Sequence, residues 1–415
     1  MSNLLEQINT VEKKPYFIKD LGRVITGKTP SKNNPEDWGS GVDFITPTDI
    51  KTEDKFYRYS NRKLSEEGEN RFKNIILPPD SILVTCIGTV GKVIMNKEKA
   101  LSNQQINAIV VENKEFDNNY VFYKILSLVP LIKSSAVGST MPIINKSSFE
   151  EIGFEAPDLS IQKKIVEILN AYDAKIENNN LIISRLEATT QILFNEWFVN
   201  FRFPGYEKVK FVESEMGEIP EGWEIKKVSD VSDLNKGVSY TSNEINANNV
   251  GTALINLGNF KRGGGFNLNG TKYYTGSFKD SHLVEPGQIL VAMTDLTSNR
   301  EVIGHPARLP GNFKKAVISL DVCSLVPNKD IYNEFLYSLM LRRDFSKLMA
   351  SCASGTNVSH LSKTHIEEYE FIMPTEKLLI MFNNFVQPLF NKQALIESEN
   401  QGLNSVKEKL LIKLT

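Results

Sequence analysis

Three kinds of residue pattern in this chain could in principle do chemistry. Gly22-Arg-Val-Ile-Thr-Gly27-Lys28-Thr29 has the spacing of a phosphate-binding loop. That loop works only between a buried strand and the start of a helix, whose backbone N–H groups hold the phosphate. Here Pro30 and Pro35 follow closely, a poor opening for a long helix. Asp80, Glu112 and Lys114 could assemble a nuclease-like Asp…Glu-x-Lys metal site, with Val110 and Val111 as the strand before it. The acids are widely separated, however, and the second half of the chain has no equivalent. Pro78-Pro79 sits between Leu77 and Asp80 and reads as a turn, not as the Pro-Pro-aromatic motif that holds a flipped base. His282, His305, His360 and His365 lack the paired spacing of metal ligands. Cys86, Cys323 and Cys352 form no CxxC pair and read as free thiols of a reducing compartment. None of these makes a convincing active site, though a nucleotide- or metal-dependent DNA enzyme stays open as an alternative.

What remains is binding chemistry. Basic residues interleave with aromatics and amides in two regions of the chain. The first holds Lys28, Thr29, Lys32, Lys51, Tyr57, Arg58, Arg62 and Gln104. The second holds Lys236, Tyr240, Lys261, Arg262, Lys272, Tyr273, Arg300, Thr356 and Asn357. Lys and Arg neutralise phosphates, while Arg, Asn and Gln read base edges in the major groove. The net charge is only -2, so a DNA-binding face must be local and offset by acidic surface elsewhere.

The elements that must position these residues begin with a long helix. From Asp158 to Phe198 there is no Pro or Gly, and Ile165, Tyr172, Asn179, Leu186 and Leu193 recur seven apart. Leu169, Ile176, Ile183, Thr190 and Trp197 form a second series, and alternating steps of four and three are the seam of a coiled coil. Forty residues at 1.5 Å rise make a rod of roughly 60 Å. Asp158 or Ser160 can cap its start. From Glu376 onward, Phe382, Leu389, Ile396, Leu403 and Leu410 repeat the pattern, with Leu378, Phe385 and Val406 alongside and Lys392, Glu399 and Asn400 as a polar middle. Pro388 should kink or interrupt this second helix near Asn384.

Each rod follows a globule with strand-length apolar runs, such as SILVTCIG (81–88) and INAIVV (106–111), and one short helix, NNYVFYKILSL (118–128). The globules share a plan. GVDFITP lies over GTALINL, SILVT over QILVA, and KALSNQQINAIVV over KAVISLDVCSLVP. In the last match Gly138 falls on Gly355, Lys146 on Lys363, Glu150 and Glu151 on Glu367 and Glu368, Phe154 on Phe371, and Pro157 on Pro374. The offset drifts from 210 to 207 to 217 residues, which means shared framework strands joined by unequal loops. At 415 residues the chain has room for two or three domains. Residues 199–222, rich in charge, Pro and Gly, read as a linker. The first residues are polar, and no window approaches a membrane span. These features point to a soluble, cytoplasmic protein.

Together IKDLGRVITGKTPS (18–31), NQQINAIV (103–110), the VGST…FEEIGFEAPDLSIQKKIVEIL run (137–169), LFNEWFVNFRFPGYE (193–207) and MGEIPEGWEIKKVSDV (216–231) resemble the specificity subunits of type I restriction–modification enzymes. The resemblance covers essentially the whole chain. It departs in the second half, where NKGVSYTS (235–242) stands in place of TGKTPS and Pro388 interrupts the rod pattern. It implies an α+β fold of two similar mixed α/β target recognition domains, joined by two long antiparallel helices forming a coiled coil. On that pattern the domains are 1–157 (target recognition), 158–198 (central conserved helix), 199–222 (linker), 223–374 (target recognition) and 375–415 (C-terminal conserved helix). The resemblance further implies a non-catalytic reader of a two-part sequence in double-stranded DNA, with helices that set the spacer and dock two modification subunits. No cofactor is expected in this chain. S-adenosylmethionine, ATP and magnesium belong to the modification and restriction subunits. A coiled-coil adaptor that does not bind DNA is the other alternative.

Overall fold

A strand whose alternate residues both meet a core must be apolar throughout, and the strand-length runs of this sequence have that composition. The computed structural model describes residues 11–50, 54–138, 141–246, 250–297, 299–355 and 358–415. Its contacts divide the chain into two units, one of residues up to Asn178 together with Asn400–Thr415, the other of Asn179–Glu399.

The strands of the first unit are β1 (Lys14–Phe17), β2 (Gly22–Thr26), β3 (Trp38–Ile45), β4 (Lys63–Leu64), β5 (Ile82–Thr85), β6 (Val93–Met95), β7 (Ala100–Ser102), β8 (Ile106–Val111) and β9 (Gly153–Ala156). They form sheets β2-β8-β5-β6 and β4-β3-β7 and the pair β1-β9. Helices α1 (Glu66–Phe72) and α2 (Asn118–Ser127) complete the lobe. In β5, Ile82 and Val84 face a core that includes Tyr120 and Tyr123 of α2, while Leu83 joins a separate core with Ile45 and Leu77. The period of two thus feeds both faces.

The second unit begins at Asn179, within the long helix Leu159–Phe198. Its strands are β10 (Phe211–Ser214), β11 (Gly217–Pro220), β12 (Glu224–Lys227), β13 (Ser232–Lys236), β14 (Thr252–Ile255), β15 (Lys272–Tyr274), β16 (Leu283–Val284), β17 (Ile289–Ala292), β18 (Thr294–Asp295), β19 (Pro306–Arg308), β20 (Ala316–Ile318), β21 (Val322–Pro327), β22 (Ser359–His360) and β23 (Glu370–Met373). Sheet β13-β21-β17-β19 repeats the strand order of β2-β8-β5-β6, and β12-β23 repeats β1-β9. The parallel pairing of Phe44 with Leu101 recurs as Leu254 with Val317. The sequence matches therefore superpose strand on strand. Where the sequence suggests a linker, β10 and β11 form a hairpin, and the ring of Phe203 stacks 5.3 Å from Trp223.

The long helices are α3 (Leu159–Phe198) and α5 (Glu376–Leu414), with α4 (Asn333–Met340) in the second lobe between them. Asp158 caps α3. Its Oδ1 accepts the Ile161 N–H at 3.1 Å and the Ser160 hydroxyl at 2.7 Å. The Ser160 bond and then the Ile161 bond hold this carboxyl below its ordinary range. In the first unit Ile165 and Leu169 share a core with Leu410 and Leu414, and Asp173 pairs with Lys407. In the second, Asn179 Nδ2 donates to Glu399 at 2.8 Å, Gln393 donates to Glu187 at 3.0 Å, and Trp197 meets the Phe382 ring at 6.0 Å. Within each unit the helices run antiparallel.

Two expectations for α5 are corrected. The helix is not interrupted at Pro388, and Pro388 and Asn384, whose carbonyl loses its N–H partner there, are both exposed residues. The seam also differs from the apolar count. Phe385 and Val406 are 56% and 43% exposed, and Lys392 faces solvent. The second seam series is instead Leu379, Val386, Gln393, Asn400, Lys407 and Leu414, polar through its middle.

Candidate nucleic-acid interface

A turn that recurs in both lobes anchors one basic segment in each. β2 ends at Thr26, and Gly27 then packs so closely on β7 that an added Cβ would lie 2.2 Å from the Ser102 and Asn103 carbonyl oxygens. Lys28 N–H donates to Ser102 O at 2.8 Å, and Thr29 Oγ1 lies 2.6 Å from Gln104 Oε1. Lys28, Thr29 and Gln104 are thereby brought together. In the second lobe Gly237 makes the same approach, 2.1 Å from Ile318 O and 2.2 Å from Ser319 O, and Val238 N–H donates to Ile318 O at 2.8 Å. NKGVS and ITGKT thus make one turn, although their letters diverge. No helix follows Gly27-Lys28-Thr29, so the phosphate-loop spacing lacks the helix start its chemistry needs.

Two adjoining shallow clefts meet at Thr29. Lys28, Asn34 and Arg71 line one, and Lys32, Asn61, Arg62 and Lys63 line the other. The Arg62 guanidinium lies 4.8 Å from the Phe44 ring and 5.1 Å from the Trp38 ring, which keeps its charge at the cleft edge. Lys28 and Lys32 are exposed and have no acidic partner among the described residues. Arg58 is forked onto Asp54 at 2.9 and 2.7 Å. Tyr57 is buried with its hydroxyl on Asp43, so its ring packs beneath the segment. Lys51 lies outside the described residues. Arg71 and Asn34 were not among the sequence candidates. Arg71 lies in the last turn of α1, paired with Glu36 and Asp37, and the start of that helix is legible in Ser65-Glu66-Glu67, with Ser65 Oγ accepting the Gly68 N–H at 3.1 Å.

In the second lobe the candidates fall into separate groups. Lys272 Nζ donates to Tyr240 Oη at 3.2 Å, beside Tyr273 on β15. Lys236 ends β13 and is exposed. Lys261 and Arg262 open a turn whose Gly263, Gly264 and Gly265 all have positive φ. Arg262 pairs with Glu301 at 2.9 Å, and Lys261 lies 3.9 Å from Glu397. Arg300, itself at φ 52°, donates to Ala350 O at 2.6 Å and Ser359 Oγ at 3.1 Å, so it pins its loop to the framework. Thr356 and Asn357 lie outside the described residues. Their flanks form a bridged turn, Ser354 with His360, matched in the first lobe by Val137 with Ile143, and Gly355 and Gly138 both take positive φ there.

A segment that bridges to this turn, Ile87 with Ile143 in one lobe and Thr294 with His360 in the other, differs between the lobes. Gly91 N–H donates to Thr85 O and Gly304 N–H to Ala292 O, both at 2.9 Å. The segment closed between those bonds is much longer in the second lobe and carries Arg300 and Glu301. Glu112, which the sequence groups with Asp80 and Lys114, is paired with Arg23 at 2.6 Å. No group of three His, Cys, Asp or Glu side chains placed to hold a metal occurs among the described residues. Burial pushes the Cys86 thiol up to about 11 and the Cys323 thiol up to about 12, which suits packing and not nucleophilic attack.

Duplicated frames with unlike basic loops, each backed by a helix pair, agree with what comparison finds. The family model for the type I restriction modification DNA specificity domain matches residues 10–188 and again 220–403. The chain belongs to that family. It is 26% identical over 401 residues to the Type I restriction enzyme MjaIX specificity subunit of Methanocaldococcus jannaschii, covering 96% of this chain and 91% of that one. Over 171 residues it is 36% identical to the HindI specificity subunit of Haemophilus influenzae, which is 40% of this chain and 37% of that one. The crystal structure of a type I S subunit from M. genitalium shares its fold at a TM-score of 0.55 and 16% identity, with 98% and 96% of the two chains covered. This chain is therefore a DNA-specificity subunit of a type I restriction–modification system, the recognising component and not a catalytic one. No helix among the described residues is long and apolar enough to cross a membrane.

Proposed function

We propose that each lobe of this specificity subunit reads one half of a bipartite target in double-stranded DNA, in the cytoplasm, while α3 and α5 fix the spacer and dock two modification subunits. Restriction subunits join that assembly. In the first lobe Lys28, Lys32 and Arg62 face phosphates or base edges around the two clefts, with Thr29 and Gln104 between them. In the second, Lys236, Lys272 with Tyr240, and the Lys261–Arg262 turn take that role. Tyr57 and Arg300 hold loops in place. Target recognition domains at 1–157 and 223–374 carry the two half-sites.

One observation supports this most. The lobes repeat one four-stranded sheet, one strand pair, one parallel pairing and one glycine turn, yet their basic loops differ in length and sequence. A repeated frame with unlike loops suits two readers of the same polymer with different sequences. Replacing residues 223–374 with the matching segment of a relative, in a host that also makes the modification subunits, tests it. Methylome sequencing should show one half-site replaced, with the other half-site and the spacer kept. A change in both halves, or in neither, would overturn the assignment.

A further inference from the structure

The segment between β3 and β4 carries Arg58 and Arg62, and one of its residues reaches away from the clefts. Lys55 has its backbone on the sheet edge. Met95 N–H donates to Lys55 O and Tyr57 N–H to Met95 O, both at 2.9 Å. Its ammonium goes to α3, where it donates to Asn170 Oδ1 at 2.6 Å. Asn170 Oδ1 also lies 2.8 Å from the hydroxyl of Tyr123 on α2, and that hydroxyl is within reach of Asp173 as well. The other Asp173 oxygen is paired with Lys407 of α5. The Lys55 ammonium sits 4.8 Å from the Tyr123 ring and 5.5 Å from the Phe122 ring, which supply part of the attraction that water would otherwise give.

One network therefore joins a DNA-facing segment, α2 and both long helices, all inside the first unit. Such a network is a poor way to gain stability, because of its two partly buried ammonium groups only Lys407 is paired with a carboxylate, while Lys55 rests on an amide oxygen. It is a good way to fix geometry. The apolar seat beneath it, Ile165 and Leu169 with Leu410 and Leu414, tolerates sliding, whereas directional bonds from three elements to Asn170 and Asp173 do not. Polar seam positions set register in coiled coils for the same reason.

We propose that Lys55, Asn170, Asp173 and Lys407 form a polar lock that sets how the first reader is seated on the helix pair, and so which spacer between half-sites the enzyme accepts. These are positioning residues. The proposal rests on the reading of the lobes as half-site readers. The test uses the full chain assembled with its modification subunits and a series of duplexes with the spacer shortened or lengthened by one base pair. The wild-type complex should methylate one spacing. Lys55→Met and Asp173→Asn should each cut the preference for that spacing about tenfold, a coupling of roughly 1.4 kcal/mol, with both half-sites unchanged. Lys407→Met should act alike and Lys407→Arg should restore the preference. Spacing preference within about twofold of wild type in folded Lys55→Met and Asp173→Asn complexes would overturn the lock. A wild-type complex that methylates no bipartite duplex would overturn the half-site reading instead, and the two failures are distinct.

Discussion

The two lobes share a frame, but they sit on their helix segments in chemically different ways. The first is seated through lysines, a carboxylate and amides: Lys55, Asn170, Asp173 and Lys407. The second packs aromatic rings and a buried arginine against its helix segments, with Gln191 on Ser338 O, Asn383 on Ile331 O and Lys329 on Glu376 around them. Phe194, Trp197 and Phe198 of α3 pack with Phe335 and Phe382, and Arg308 lies 4.1 Å from the Tyr337 ring and 4.5 Å from Phe390 of α5. The Arg308 charge is met by Glu334 at 2.8 Å, with both side chains largely buried. A guanidinium stacks and forks where an ammonium cannot, so the second seat excludes water and the first holds charge at its edge. Duplication preserved the strands and left the seats to diverge.

The largest expected effect comes from the arginine seat. Arg308→Met leaves Glu334 buried without its partner, and the loss should be about 3–5 kcal/mol by chemical denaturation. Adding Glu334→Gln, which removes the stranded charge, should recover much of it. If the single variant costs no more than a surface ion pair, under about 1 kcal/mol, the contrast between the seats is mistaken.

A smaller effect separates what the lobes share from what they do not. Gly27→Ala and Gly237→Ala each press a Cβ onto carbonyl oxygens near 2 Å away. Each should cost roughly 1–3 kcal/mol, and each should impair methylation through its own half-site only. Equal loss in melting but no half-site effect from either would show that the turn serves the fold alone.

How much of this was legible in the sequence follows the same division. The frame was legible because alternation and turn residues record strands directly, and the 18–31 and 137–157 runs placed both copies. The first seam of α3 was legible because its positions are apolar. The second seam series of α5 was not, since Gln393, Asn400 and Lys407 stand where a pattern search expects leucine, and Phe385 and Val406 drew attention to the outer face. That Pro388 does not interrupt α5 is not legible in the sequence, because the cost of a proline depends on the surroundings of the carbonyl it frees. Among the basic residues, type and spacing could not separate Lys28, which is exposed, from Arg300, whose guanidinium is spent on Ala350 and Ser359. Partners from distant strands decide that.

The smallest effect sharpens the comparison through pH. Burial lowers the Lys55 ammonium to about 8, and nearby Lys407 pushes the same way, while Asp173 opposes them. In the unfolded chain this lysine titrates near its ordinary value of 10.5. Between about 8 and 10.5 the unfolded chain therefore holds a proton that the folded one has released, and stability contributed by this group rises with pH across that window. Burial lowers Lys124 to about 8 as well, so the wild-type curve alone does not isolate Lys55. The difference between wild type and Lys55→Met does. Urea midpoints measured at intervals across this window should move in favour of wild type as pH rises, by a modest amount because Lys55 is only partly buried. A difference that stays flat, or moves toward the variant, would mean that Asp173 outweighs burial and that the first seat is an ordinary ion pair and not a strained one.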